Sequence, residues 1–268
     1  MMLSDEPYRW AEGIANRRDY IEDQIRAGSP VVGVGYEDGL LLVTLSRSQQ
    51  KLFEVYDRIG LAAVGHSTDI EKLRQAAIDM AHSIGFNYSE EDVTLRQIVY
   101  FGLGPAIKAG FDDVVRSPFL ARILLAELDG EAGPNTFYIV DYDGAFFRYE
   151  DFCTLGGAPE ADRLMEQKLD VDDVTSLSMT DALSKALQAW AIGRWVGKLE
   201  EMPSEDSELD ELAEKVDIND ILKSELQELD IEAAVLQRSL SGKPKYRLLT
   251  EDELAPVLDP LRENNEST

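Results

Sequence analysis

Apolar residues follow two rhythms along this chain. From Val31 to Gly65 they come in short dense runs, VVGVGY, LLLVTL, KLFEVYD and IGLAAVG, of the length and density of buried strands. Glu37-Asp38-Gly39 divides the first two, and Asp-Gly between apolar runs is a strong hairpin signal. From Thr68 to Phe86 the rhythm changes to helical spacing, with Ile70, Leu73, Ala77, Met80 and Ile84 on one face; Thr68 is placed to cap it and Glu71 to close a capping box. Thr94 to Gly110 repeats the helical spacing, interrupted at Gly104-Pro105. Three strands are predicted next, FLARILLAEL, TFYIVDYDG and FFRYEDFCTLG, with Tyr142-Asp143-Gly144 as the turn before the last. Helices follow over Gly157–Leu169 and Thr180–Leu199. DIEAAVLQR and KYRLLT read as a closing strand pair, with a short helix from Glu251. Before all of these, Asp19 to Ile25 forms a short predicted helix, with Tyr20, Ile21 and Ile25 near one face, stopped by Gly28, Ser29 and Pro30.

The order is strands, two helices, strands, two helices, strands. It predicts an α+β fold, a four-layer αββα sandwich of two antiparallel sheets flanked by helix pairs. One stretch stands apart. Leu199 to Asp230 is mostly acidic; around Pro203 to Ser207 it reads as a solvated loop. Further on, Leu209, Leu212 and Val216, then Ile218, Ile221, Leu222, Leu226 and Leu229, fit one or two amphipathic helices. Such a run is a solvated face or, alternatively, a lid or docking surface.

Charge narrows the possible functions. Fifty-two acidic residues against 26 basic ones leave a net charge of −26 over 268 residues. Nucleic acid and anionic membrane surfaces would repel such a chain. Its only cysteine, Cys153, allows no internal disulfide and reads as a core residue, which fits a reducing, cytoplasmic setting. The opening MMLSDEPYRW has neither the basic nor the apolar part of a secretory signal, and no apolar run is long enough to span a bilayer. His66 and His82 have no third ligand at metal-site spacing, and Gly33 and Gly35 lack the third glycine and helix of a dinucleotide fingerprint, so no metal or cofactor is expected.

The Gly28-Ser29 step just before the first strand allows two fates. Intact, it is a joint between helix and strand. Cut autocatalytically, it makes Ser29 an N-terminal nucleophile whose hydroxyl is activated by the freed amine.

An ordered series of strings bears on that choice: SRSQQKLFEVYDRIGLAAVGHSTDIEKLRQAAIDMA (46–81), EEDVTLRQI (90–98), YDGAFF (142–147), TLGG (154–157) and SMTDAL (178–183). With the element order, they resemble the proteasome α-subunit family, most closely its bacterial, actinobacterial-type members. The resemblance spans about Arg17 to Leu249 and implies the N-terminal-nucleophile hydrolase sandwich. Lys51 and Gly65 match the catalytic lysine and oxyanion-hole glycine of the superfamily's working subunits. The carboxylate expected on the second strand is missing, since Thr44, Leu45 and Ser46 stand there, and so is the late Asp-Ser-x-Ser-Gly-Gly string. RRDYIEDQIRAG matches the leader helix that α-subunits retain.

By that resemblance the chain hydrolyses nothing and carries no catalytic residue. It forms a homo-heptameric ring stacked on proteasome β-subunits. Residues 1–16 form the gate segment, with Pro7, Tyr8 and Trp10 near the ring axis. Residues 17–249 form the sandwich with its acidic insertion at about 200–230, and 250–268 the C-terminal helix and tail. Lys51 faces a pocket between neighbouring subunits, where its ammonium pairs with the C-terminal carboxylate of a ring-shaped ATPase activator. The alternative is a self-processing N-terminal serine hydrolase using Ser29.

Overall fold

The computed structural model describes residues 6–47, 49–113, 115–129, 135–170, 174–203 and 205–263. Residues 1–5 of the expected gate segment and 264–268 of the tail lie outside the described residues.

The dense apolar runs fold as strands. β1 (Val31–Tyr36) and β2 (Gly39–Ser46) pair around a two-residue turn, as do β3 (Leu52–Tyr56) and β4 (Ile59–Gly65). β5 (Ala121–Glu127) and β6 (Thr136–Val140) follow. FFRYEDFCTLG, expected as one strand, is broken at Glu150-Asp151 into β7 (Phe146–Tyr149) and β8 (Phe152–Leu155). At this break the chain passes from one sheet to the other. One sheet has the order β3-β4-β5-β6-β7; the second runs β10-β9-β2-β1-β8, with β9 (Asp230–Gln237) and β10 (Tyr246–Leu248). Every pairing is antiparallel.

Three apolar layers hold the sandwich. Leu42, Ala62, Val64, Leu124, Phe137, Cys153 and Leu155 fill the space between the sheets. On the outside of the β3–β7 sheet lie α2 (Ser67–Asn87), α3 (Leu95–Ile98) and α4 (Gly104–Asp112). Over the other sheet lie α5 (Pro159–Leu169) and α6 (Met179–Gly197), with α9 (Glu251–Glu263) beside them. Burial on both faces explains why the strands show no polar alternation. The αββα sandwich expected from the sequence is the fold observed.

Three local readings are corrected. The cap of α2 is His66, whose Nδ1 accepts from the Thr68 backbone at 3.3 Å, while Glu71 turns aside to pair with Arg74. The interruption at Gly104-Pro105 is a π turn (Val99–Leu103) joining α3 to α4; a widened turn accommodates a residue with no N–H to donate. The leader helix, expected over 19–25, is α1 (Glu6–Arg26). Pro7, Tyr8 and Trp10 fall within its first turns, and their side chains lie outside the described residues. Ile21 and Ile25 are buried against Phe111 of α4, with Ile14 partly buried beside them. Arg17 donates to the carbonyls of Phe111, Asp113 and Arg116 at 2.5, 2.9 and 3.2 Å, supplying donors at the C-terminal end of α4.

The acidic stretch folds as two short helices, α7 (Asp206–Glu214) and α8 (Ile218–Glu225). Leu209, Ala213 and Leu222 are buried in the same apolar cluster as α5 and α6. Among the described residues no helix is long and apolar enough to cross a membrane.

Candidate functional site: the Lys51 cleft

The sequence singled out Gly28, Ser29, Lys51 and Gly65, and the fold brings them to one end of the sandwich. Ser29 follows α1 and precedes β1; Lys51 precedes β3; Gly65 ends β4. A cleft of about 620 Å³ opens here, lined by Gln49, Gln50, Lys51, Phe53 and Gly65 on one side and by Ser67, Thr68, Ile70, Glu71 and Lys72 of α2 on the other. Gly65 is required by close approach as well as by conformation. Its φ is +140°, and a Cβ there would lie 2.1 Å from the Leu120 carbonyl oxygen.

The Lys51 ammonium donates to the backbone carbonyl of Ser29 at 3.2 Å. Its backbone N–H and that of Leu52 both donate to the Glu232 carboxylate, at 2.9 and 2.8 Å. Here the sequence reading is corrected. It left Lys51 without an opposite charge, because β2 offers none. Glu232 supplies one from β9, where it pairs in register with Thr44. Nothing near Lys51 in the sequence signalled this; only the pairing of strands 181 residues apart creates it. Burial, reinforced by the nearby charge of Arg194 and opposed by Glu232, brings the ammonium down to about 8. Burial pushes the Glu232 carboxyl up, against the two N–H bonds it accepts and the charge of Lys51.

Ser29 is occupied differently. Its hydroxyl donates to the Leu45 carbonyl and accepts from the indole N–H of fully buried Trp190 at 3.2 Å. The Thr44 hydroxyl next to it donates to the Pro30 carbonyl at 2.7 Å. Behind the joint the packing is tight. A Cβ on Gly157 would lie 2.1 Å from the Arg26 carbonyl oxygen, and one on Gly197 2.8 Å from it.

A sequence profile described as "Proteasome subunit" matches residues 25–193. The chain belongs to the proteasome subunit family. Within it, its relatives are alpha subunits. The "Proteasome subunit alpha" of Streptosporangium roseum is 34% identical over 181 residues, covering 65% of this chain and 66% of that protein. That of Thermobifida fusca is 28% identical over 245 residues, or 91% and 86% of the two chains. That of Mycobacterium leprae is 31% identical over 188 residues, 68% of each. The actinobacterial-type alpha subunit expected from the sequence is therefore the family found. In this alpha subunit Lys51 and Gly65 line an open cleft, and the joint residue Ser29 is held by the core. Cys153 is buried between the sheets, and among the described residues no group of His, Cys, Asp and Glu could hold a metal.

Proposed function

We propose that this alpha subunit is a non-catalytic ring component of a bacterial 20S proteasome, and that its Lys51 cleft receives the C-terminal carboxylate of a ring-shaped ATPase. A homo-heptameric ring stacks on proteasome β-subunits, and the segment at 1–16 gates entry for substrates in the cytoplasm. One observation supports the docking reading above others: a cationic side chain that lines an open cleft, bonded to the Ser29 carbonyl at 3.2 Å and, among the described residues, in no direct ion pair. An incoming carboxylate would replace that weak neutral contact with a charge-assisted one. A net charge of −26 repels most anions, so an anion entering here needs a local cation, and Lys51 provides it.

Lys51→Glu tests this directly. The variant is expected to assemble with β-subunits as the wild type does and to lose at least tenfold in affinity for a C-terminal peptide of the candidate ATPase, since like charges then meet. Undiminished peptide binding, measured by fluorescence anisotropy on assembled particles, would remove Lys51 from the docking role.

A further inference from the structure

We propose that the acidic insertion governs the Lys51 cleft: Glu225 of α8, acting through Arg194 of α6, holds the 27–29 joint on which the Lys51 ammonium rests, which makes both of them positioning residues for Lys51. The contacts form an unbroken series. Glu225 is 6% exposed, and its two carboxylate oxygens are taken separately, Oε2 by Arg194 Nε at 3.0 Å and Oε1 by the Lys198 ammonium. The same Arg194 guanidinium donates through Nη1 to the Ala27 carbonyl at 2.9 Å. Two residues on, the Ser29 carbonyl accepts from Lys51 Nζ at 3.2 Å. A helix of the acidic insertion is thereby linked, by one buried carboxylate and one guanidinium, to the backbone that seats the docking lysine.

A surface ion pair would not have this reach. Two features set the Glu225 cluster apart. Its carboxylate is buried and Arg194 mostly so, which leaves their charges less screened than those of a surface pair, although Lys198 stands half exposed. It also shares Arg194 with the joint, so removing the carboxylate changes both what holds the guanidinium and how much positive charge faces Lys51. The charged groups facing Lys51 are Arg194 from α6, Glu232 from β9, and Glu71 and Lys72 across the cleft from α2. Of these, Arg194 is paired with a carboxylate of the insertion. Burial pushes the Glu225 carboxyl up, but its bonds to Lys198 and Arg194 bring it below the usual carboxylate range, so it stays ionised at neutral pH. The family match ends at residue 193, so Arg194 and the whole insertion lie beyond it.

The two residues push Lys51 in opposite directions, which separates this coupling from simple tethering of α8 to α6. Neutralising Glu225 leaves the charge of Arg194 uncompensated and drives protons off Lys51; neutralising Arg194 does the reverse. The measurement is the pH dependence of Lys51 acetylation by acetic anhydride on the purified full-length chain, read by peptide mass spectrometry. Relative to wild type, the midpoint is expected to fall by about half a unit in Glu225→Gln, rise by about half a unit in Arg194→Gln, and return to the wild-type value in the double variant. Unmoved midpoints, or shifts of one sign in both variants as loosened packing would give, overturn the inference. Should Glu225→Gln fail to fold, Glu225→Asp, which keeps the charge but shortens its reach to Arg194, takes its place: a lowered midpoint supports the coupling, and a raised or unmoved one ends it.

The inference gains its functional meaning from the docking reading, and a second arm keeps the two apart. Binding of an N-acetylated peptide with a free C-terminal carboxylate, compared with its C-amidated twin, is followed across the same pH range. If the midpoints move as expected and neither peptide binds, the coupling stands and the docking reading falls.

Discussion

Lys51 carries a charge that its surroundings oppose. Its ordinary value is 10.5 and its folded value about 8, so between those two the unfolded chain binds the proton more tightly. Stability from this residue therefore rises as pH goes from about 8 toward 10.5, because folding then no longer keeps an ammonium from water. Carboxylate binding has the opposite slope. A bound tail favours the ammonium, so affinity is expected to be level below pH 8 and to fall about tenfold per unit just above it. Isothermal titration with the free-carboxylate peptide at pH 7, 8 and 9 checks this; a flat profile contradicts ionic docking at Lys51. Arg122, deeper inside, is the opposite case: burial works against its charge too, but the Asp162 and Asp141 carboxylates outweigh it. It donates to Asp141 at 2.5 Å, to Asp162 at 2.9 Å and to the Gly156 carbonyl at 3.0 Å, joining β5 and the end of β6 to α5 and the end of β8. Arg122→Leu would leave two carboxylates facing each other with little water, and urea denaturation is expected to show a loss of roughly 3–5 kcal/mol. Sequence gave the residue types at this scale but not their partners. Lys51 and Gly65 were singled out by the resemblance to the family. Glu232, Arg194 and Trp190, which define their surroundings, were not, since each comes from an element far along the chain.

At the scale of elements, periodicity worked where one face meets the core. α2, with Ile70, Leu73, Ala77, Ala81 and Ile84 buried, was legible almost end to end. α1 was not, because most of its side chains from residue 11 to 20 are exposed, and contacts made by polar groups fix its place. Arg17→Ala therefore tests what docks it. The carbonyls at the end of α4 would lose their donor, at a cost of about 1–3 kcal/mol, and α1 amides are expected to exchange faster with deuterium while those of β1 and β2 keep their protection. Unchanged exchange in α1 would assign its anchoring to Ile21 and Ile25 alone. The break within FFRYEDFCTLG was hidden for another reason. Both halves are sound strands, and only the stacking of two sheets requires the chain to change layer between them.

For the molecule as a whole, element order carried most of the information. Two buried sheets need apolar runs that show no alternation, and helix pairs need a helical stripe; the sequence alternates these in blocks, and the four layers follow. What the blocks do not encode is where the acidic insertion lands, which depends on Leu209, Ala213 and Leu222 finding the outer face of α5 and α6. The competing self-processing reading is decided on the intact chain. A purified protein keeping its full mass of about 29.9 kDa, with Ser29→Ala giving the same pattern, is the expected result; loss of residues 1–28 in wild type but not in the variant would make Ser29 a nucleophile.

The leader helix has a mechanical consequence. Its 21 residues make a rod about 30 Å long. One end is wedged under Gly157 and Gly197, next to the carbonyls that hold Lys51 and Arg194. Arg17 and Ile21 fasten the rod again partway along, so its lever is the first eleven residues, about 16 Å: a tilt of about 10° at Arg17 would carry Glu6 through roughly 3 Å.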